Sequence, residues 1–130
     1  MFLTRERDYA MRVVRALANL EKKSVKTICE LEHVPLDFAY KILKKLERAG
    51  IVESTRGTRG GYQLAKKPNN ITMFDVLYSV DDNLFINECL KPDADCPNHA
   101  EGKRCRVHEE LIGIQSVIFS MLKSKTLDLL

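Results

Sequence analysis

A chain of 130 residues holds one modest core and is too short for two. Hydrophobic residues at 45% and charged residues at 30%, with only 6 Gly and 4 Pro, exclude a disordered or fibrous chain and point to a folded, mainly helical one. The opening Met1-Phe2-Leu3-Thr4-Arg5-Glu6 lacks an apolar signal region, and no stretch approaches the roughly 18 apolar residues of a membrane span. A cytoplasmic protein with no membrane partner is expected.

The net charge of +3 conceals an asymmetry. Up to Lys67 there are 15 Lys+Arg against 8 Asp+Glu, and beyond it 6 against 10. A basic half suits a polyanion, because neutralising phosphates releases condensed counterions. Lysine-rich solvated helices give the same sign, so charge alone decides nothing.

From Thr4 to about Leu20, Ala10, Val13, Val14 and Leu17 recur at helical spacing, with Thr4 as the N-cap. Ser24 is placed to cap a short second helix carrying Val25, Ile28 and Leu31, which Val34-Pro35 ends. Cys29 falls beside its buried face and reads as packing. A third helix spans about Leu36 to Ala49, with Ala39, Ile42, Leu43 and Leu46 inward and Gly50 as its stop. Asp37, Lys41, Lys44 and Arg48 face outward, with Tyr40 and Lys45 beside them. Two short helices joined by a tight turn, the second with a basic stripe, match helix-turn-helix docking in the major groove.

Residues 51–55 and 62–65 read as two strands around Arg56-Gly57-Thr58-Arg59-Gly60-Gly61, a β-hairpin wing with a basic, glycine-rich tip. Arg56 and Arg59 are placed to reach phosphates or a narrow minor groove, and Gly60 allows close backbone approach beside Tyr62. No Gly-Lys-Ser/Thr phosphate loop opens a helix here.

Thr72-x-x-Asp75 is a capping-box variant that opens a helix with Met73, Val76, Leu77 and Val80 inward. The expected organisation is mainly α with a small β-hairpin wing. It comprises a winged helix-turn-helix DNA-binding domain over 1–82, a cysteine loop over 83–105 and a long dimerisation helix over 106–130. In the last helix Val107, Leu111, Ile114, Ile118 and Met121 alternate at spacings of four and three, widened by Ile112, Val117, Phe119 and Leu122. So much apolar surface predicts a homodimer, and two recognition helices then read a pseudo-palindromic operator in double-stranded DNA. Packing within one chain is the rival explanation.

Cys89-x6-Cys96-x8-Cys105-x2-His108 brings three soft thiolates and an imidazole into one loop that ends at a helix start. Soft sulfur ligands select zinc, copper(I) or an iron-sulfur cluster. The absence of a Cys-x2-Cys knuckle weighs against zinc, while spacing alone leaves a cluster, structural zinc and a thiol-only switch all open. No Cys-x2-Cys redox motif, Ser/His/Asp set or nucleotide loop is present, so neither an enzyme nor a small-molecule substrate is expected.

The chain resembles the Rrf2 family of bacterial winged-helix regulators. The resemblance rests on Leu3-Thr4 with Asp8-Tyr9-Ala10, Arg56-Gly57 to Gly60-Gly61-Tyr62-x-Leu64, Ile71-Thr72, and the Cys89, Cys96, Cys105 and His108 set. It spans nearly the whole chain. It implies a homodimeric, DNA-binding transcription regulator, most simply a repressor, that senses iron-sulfur status, redox state or nitric oxide. It further implies a cluster on Cys89, Cys96 and Cys105. His108 occupies the fourth-ligand position of 2Fe-2S members, the preferred form, and Asp8 that of 4Fe-4S members, reaching over from the partner subunit. His99 reads as a further ligand or a solvent-exposed loop residue.

Overall fold

A computed structural model describes residues 2–130. Five helices and one hairpin follow in the order α1 (Arg5–Leu17), α2 (Val25–Glu32), α3 (Leu36–Arg48), β1 (Val52–Thr55), β2 (Gly61–Leu64), α4 (Met73–Val80) and α5 (Arg106–Ser124). Local chemistry accounts for most of the boundaries. The Thr4 hydroxyl accepts from Arg7 N, and the Ser24 hydroxyl from Thr27 N. Thr72 and Asp75 complete a reciprocal capping box at α4. Gly50, at φ +74°, ends α3: its N–H donates to Glu47 O and that of Ile51 to Leu46 O, the paired bonds of a Schellman motif.

The core lies between α1, α3 and α4, where Ala10, Val13, Val14, Leu17, Ile42, Leu43, Leu46, Val76 and Leu77 are almost wholly buried. β1 and β2 pair antiparallel in the register Val52↔Leu64 to Thr55↔Gly61. A third backbone segment joins them. Lys23, in the α1–α2 connection, exchanges hydrogen bonds with Tyr62, so the wing is anchored to the helical body at its root.

The apolar surface that the sequence places along α5 is divided by the structure. Leu111, Ile118, Phe119 and Leu122 are half-buried, and Phe119 meets Phe74 of α4 edge to face at 5.2 Å. Val107, Ile112, Ile114, Val117 and Met121 stay exposed, and no residue of α5 is fully buried. Packing within the chain therefore uses one side of the helix and leaves the other apolar side open.

Beyond α5 the chain turns back. Met73 N donates to Lys125 O, Leu127 N donates to Ile71 O, and Leu127 is fully buried in the core. This return was invisible as periodicity, being only a few residues long. Among the described residues, no helix is long and apolar enough to cross a membrane.

Candidate nucleic-acid interface and cysteine loop

On α3, Tyr40, Lys41, Lys44 and Arg48 are exposed along one side, with Tyr40 54% accessible. Burying Ala39, Ile42, Leu43 and Leu46 against α1 leaves that side no other direction to face. Lys45 departs from the expected surface. Its ammonium donates to Glu6 Oε1 at 2.5 Å and to Val80 O at 2.8 Å, on the protein side of α3.

The wing stands beside this helix, tied by the Ser54 hydroxyl donating to Glu47 Oε1 at 2.7 Å. Arg56 and Arg59 are exposed at its tip. Gly60 is obligatory there for space: a Cβ would stand 2.3 Å from Thr55 O and 2.8 Å from Gly57 O. Tyr62 packs half-buried against the core, and burial, then the charges of Glu47 and Tyr40, push its phenol upward. It therefore remains a hydroxyl donor at neutral pH.

The cysteine segment runs from Asp81 to Cys105 with two short 3-10 turns, Glu88–Leu90 and Pro97–His99. Leu84 plugs it into the core, and Ile86 N donates to Gln115 Oε1 of α5 at 3.0 Å. All four cysteines are free and half-exposed. Cys89 and Cys96 line one hollow of about 510 Å³ with Asn87, Glu88, Lys91 and Asp95, and Asn87 Nδ2 donates to Cys89 Sγ at 3.2 Å. Cys105 lies at the N-terminal boundary of α5, where it makes no side-chain cap bond, and does not line that hollow. His108 stacks on His99, with centroids 3.8 Å apart and planes 15° apart.

Three tests bear on whether these residues suit a metal centre. The donors are chemically right, being soft thiols and imidazole. His108 Nδ1 is buried with no hydrogen-bond partner among the described residues, a polar atom whose desolvation none of them offsets. Among the described residues, however, no three His, Cys, Asp or Glu side chains are gathered at metal-holding distance. The donor types suit a soft metal or cluster, and Cys105 does not line the hollow that Cys89 and Cys96 share. Asp8 lies away on α1, its carboxylate accepting from Arg12 Nε at 3.0 Å.

Sequence reasoning overlooked Arg7, which is 2% exposed. The signal was present, since Arg7 shares the helical stripe of Ala10, Val14 and Leu17. Residue type points the other way, because arginine is almost never fully buried without partners. Here it has them: Asp81 Oδ2 at 3.0 Å and the carbonyl of Asn83 at 2.7 Å.

Helix-turn-helix, wing and a long trailing helix define a winged-helix regulator. Residues 3–130 match the Rrf2 family, described as iron-dependent transcriptional regulators, and the chain belongs to that family. It is 34% identical to protein aau3 of Rhizobium meliloti over 98% of this chain and 83% of that protein. It is 32% identical to the HTH-type transcriptional regulator IscR of Vibrio atlanticus, over 98% of this chain and 73% of that one. The fold matches CymR, the global cysteine regulator of B. subtilis, with a TM-score of 0.79 at 25% identity, over 97% and 93% of the two chains. The protein is thus an Rrf2-family transcriptional regulator and not an enzyme.

Proposed function

We propose that this regulator is a cytoplasmic homodimeric repressor that senses redox state, nitric oxide or iron-sulfur supply through a cluster on its cysteine loop. Cys89, Cys96 and Cys105 would hold the group, with His108 as fourth ligand for a 2Fe-2S cluster, or Asp8 from the partner subunit for a 4Fe-4S cluster. When bound, the cluster supplies a redox- and nitric-oxide-reactive centre. The observation that carries this reading is the buried Nδ1 of His108, without a hydrogen-bond partner among the described residues, just beyond a loop that carries three free, half-exposed thiols.

The exposed α5 residues Val107, Ile114, Val117 and Met121 keep spacings of seven, three and four, the seam of a helix pair. Two chains joined there present two α3 helices to a pseudo-palindromic operator in double-stranded DNA. Tyr40, Lys41, Lys44 and Arg48 contact base edges or nearby phosphates, and Arg56, Arg59, Gly60 and Tyr62 seat the wing. The loop ends where α5 begins, so ordering at Cys105 acts directly on the first turn of the seam.

Purification without oxygen, absorption spectroscopy and iron and sulfide analysis test the reading, repeated on Cys96→Ala, His108→Ala and Asp8→Ala. A brown protein with iron and sulfide, lost on Cys96→Ala, supports it. Loss with His108→Ala or with Asp8→Ala assigns the fourth ligand. A colourless protein with stoichiometric zinc, or one that responds only by thiol oxidation, replaces it with the zinc or thiol-switch alternative.

A further inference from the structure

Glu6 and Arg7 are neighbours in the first turn of α1, and their side chains reach two different parts of the protein. Glu6 Oε1 accepts from Lys45 Nζ at 2.5 Å, and the same ammonium donates to Val80 O at 2.8 Å. Lys45 lies in the last turn of α3 and Val80 is the last residue of α4, so one cation joins the recognition helix to both its supports. Arg7 donates to Asn83 O at 2.7 Å and to Asp81 O at 3.3 Å, and pairs with the Asp81 carboxylate at 3.0 Å. Asp81 caps the end of α4, and Asn83 opens the segment leading to Cys89.

We infer that the first turn of α1 is a positioning joint: Glu6 and Lys45 set the seat of the recognition helix, and Arg7 ties that seat to the start of the cysteine loop. Consecutive residues on one helical turn cannot move independently, so a displacement at Asp81–Asn83 is felt at Glu6. Arg7 holds its partners firmly, because a guanidinium at 2% exposure is costly to leave uncompensated. Lys45 is then a positioning residue and not a phosphate contact. Two protein acceptors hold two of the three N–H donors of its ammonium, whereas Lys41 and Lys44 make no ion pair among the described residues. The clamp on α3 rests only on DNA binding by the family; the link to the loop rests on the proposed sensing role.

Both tests use the full chain in metal-free form, so they are decided separately from the iron and sulfide analysis. The first measures affinity against salt for a duplex that the wild-type chain selects from a random library. Lys45→Gln and Glu6→Gln should weaken binding by a similar factor, about three- to tenfold, with the slope of log K against log salt unchanged and with Lys45→Arg restoring affinity. A slope shallower by about 0.9 in Lys45→Gln, with Glu6→Gln binding as well as or better than wild type, makes Lys45 a phosphate contact and overturns the clamp. The second follows amide hydrogen exchange in Asp81→Asn. The joint requires faster exchange in α3 as well as in residues 83–91, with α2 unchanged. Change confined to residues 81–91, or spread equally over α2, overturns the link.

Discussion

Lys23 and Tyr62 exchange backbone hydrogen bonds, Lys23 N to Tyr62 O at 2.9 Å and Tyr62 N to Lys23 O at 2.8 Å. Through this pair the wing is an extension of the helical body. The approach is so close that a Cβ on Gly61 would lie 2.6 Å from Lys23 O. Gly61→Ala should therefore force the two segments apart, costing roughly 1–3 kcal/mol as an overpacked contact does. Thermal unfolding reads the stability, and operator titration should show weaker binding from a displaced tip.

Lys41 and Arg59 stand on different elements, helix and wing. Each of Lys41→Ala and Arg59→Ala should weaken operator binding and reduce the salt slope by about 0.9, the share of one neutralised phosphate. Fluorescence anisotropy over a salt series measures both. Unchanged affinity and slope in the two variants would remove helix α3 and the wing from the interface.

The two sides of α5 predict two different failures. Val117 is exposed, so Val117→Glu should leave the single chain folded and abolish the proposed dimer in sedimentation velocity. Phe119 packs on Phe74, so Phe119→Ala should lower the urea midpoint instead. Loss of folding in Val117→Glu would return that side of the helix to the core.

Leu127 is fully buried at the start of the last turn, Leu127–Leu129, where its N–H donates to Ile71 O. Leu127→Ala should cost about 2–5 kcal/mol, the range for large-to-small changes in a packed interior. Urea unfolding of the two chains compares them directly.

Burial, and then the charge of Glu30, raise the Cys29 thiol above its ordinary value. A raised thiol carries less thiolate at neutral pH, and thiolate is the species that alkylates. Iodoacetamide footprinting by mass spectrometry on metal-free protein should label Cys29 last, with its labelling rising as the pH becomes alkaline. Early labelling of Cys29 would contradict its role in packing.

Much of the architecture was legible because each element carries its own local signal. Thr4, Ser24 and Thr72 announce their helices through capping, and Gly50 announces the end of α3. The wing was readable from Gly57, Gly60 and Gly61 between short apolar runs. Besides the burial of Arg7 against Asp81 and Asn83, three features escaped, all made by tertiary contact. The seat of Lys45 between Glu6 and Val80 depends on residues 39 and 35 positions away, which no periodicity reports. The Lys23 bridge is a single residue pair, and the return of Leu127 is one turn. For the cysteine loop, residue type spoke of chemistry, while which cysteines line a common hollow, Cys89 and Cys96 but not the α5 N-cap Cys105, is set by the folded chain.

The divided surface of α5 also sets how this protein can change over time. One side answers to Phe74 within the same chain, where any replacement must suit a fixed neighbour. The other answers to a copy of itself under the proposed pairing, so each substitution there arrives twice at once, opposite or near its own duplicate. A library of single variants across residues 106–124 should thus separate into two alternating tracks. One would be scored by whether the chain survives in the cell, the other by whether surviving chains still regulate a promoter.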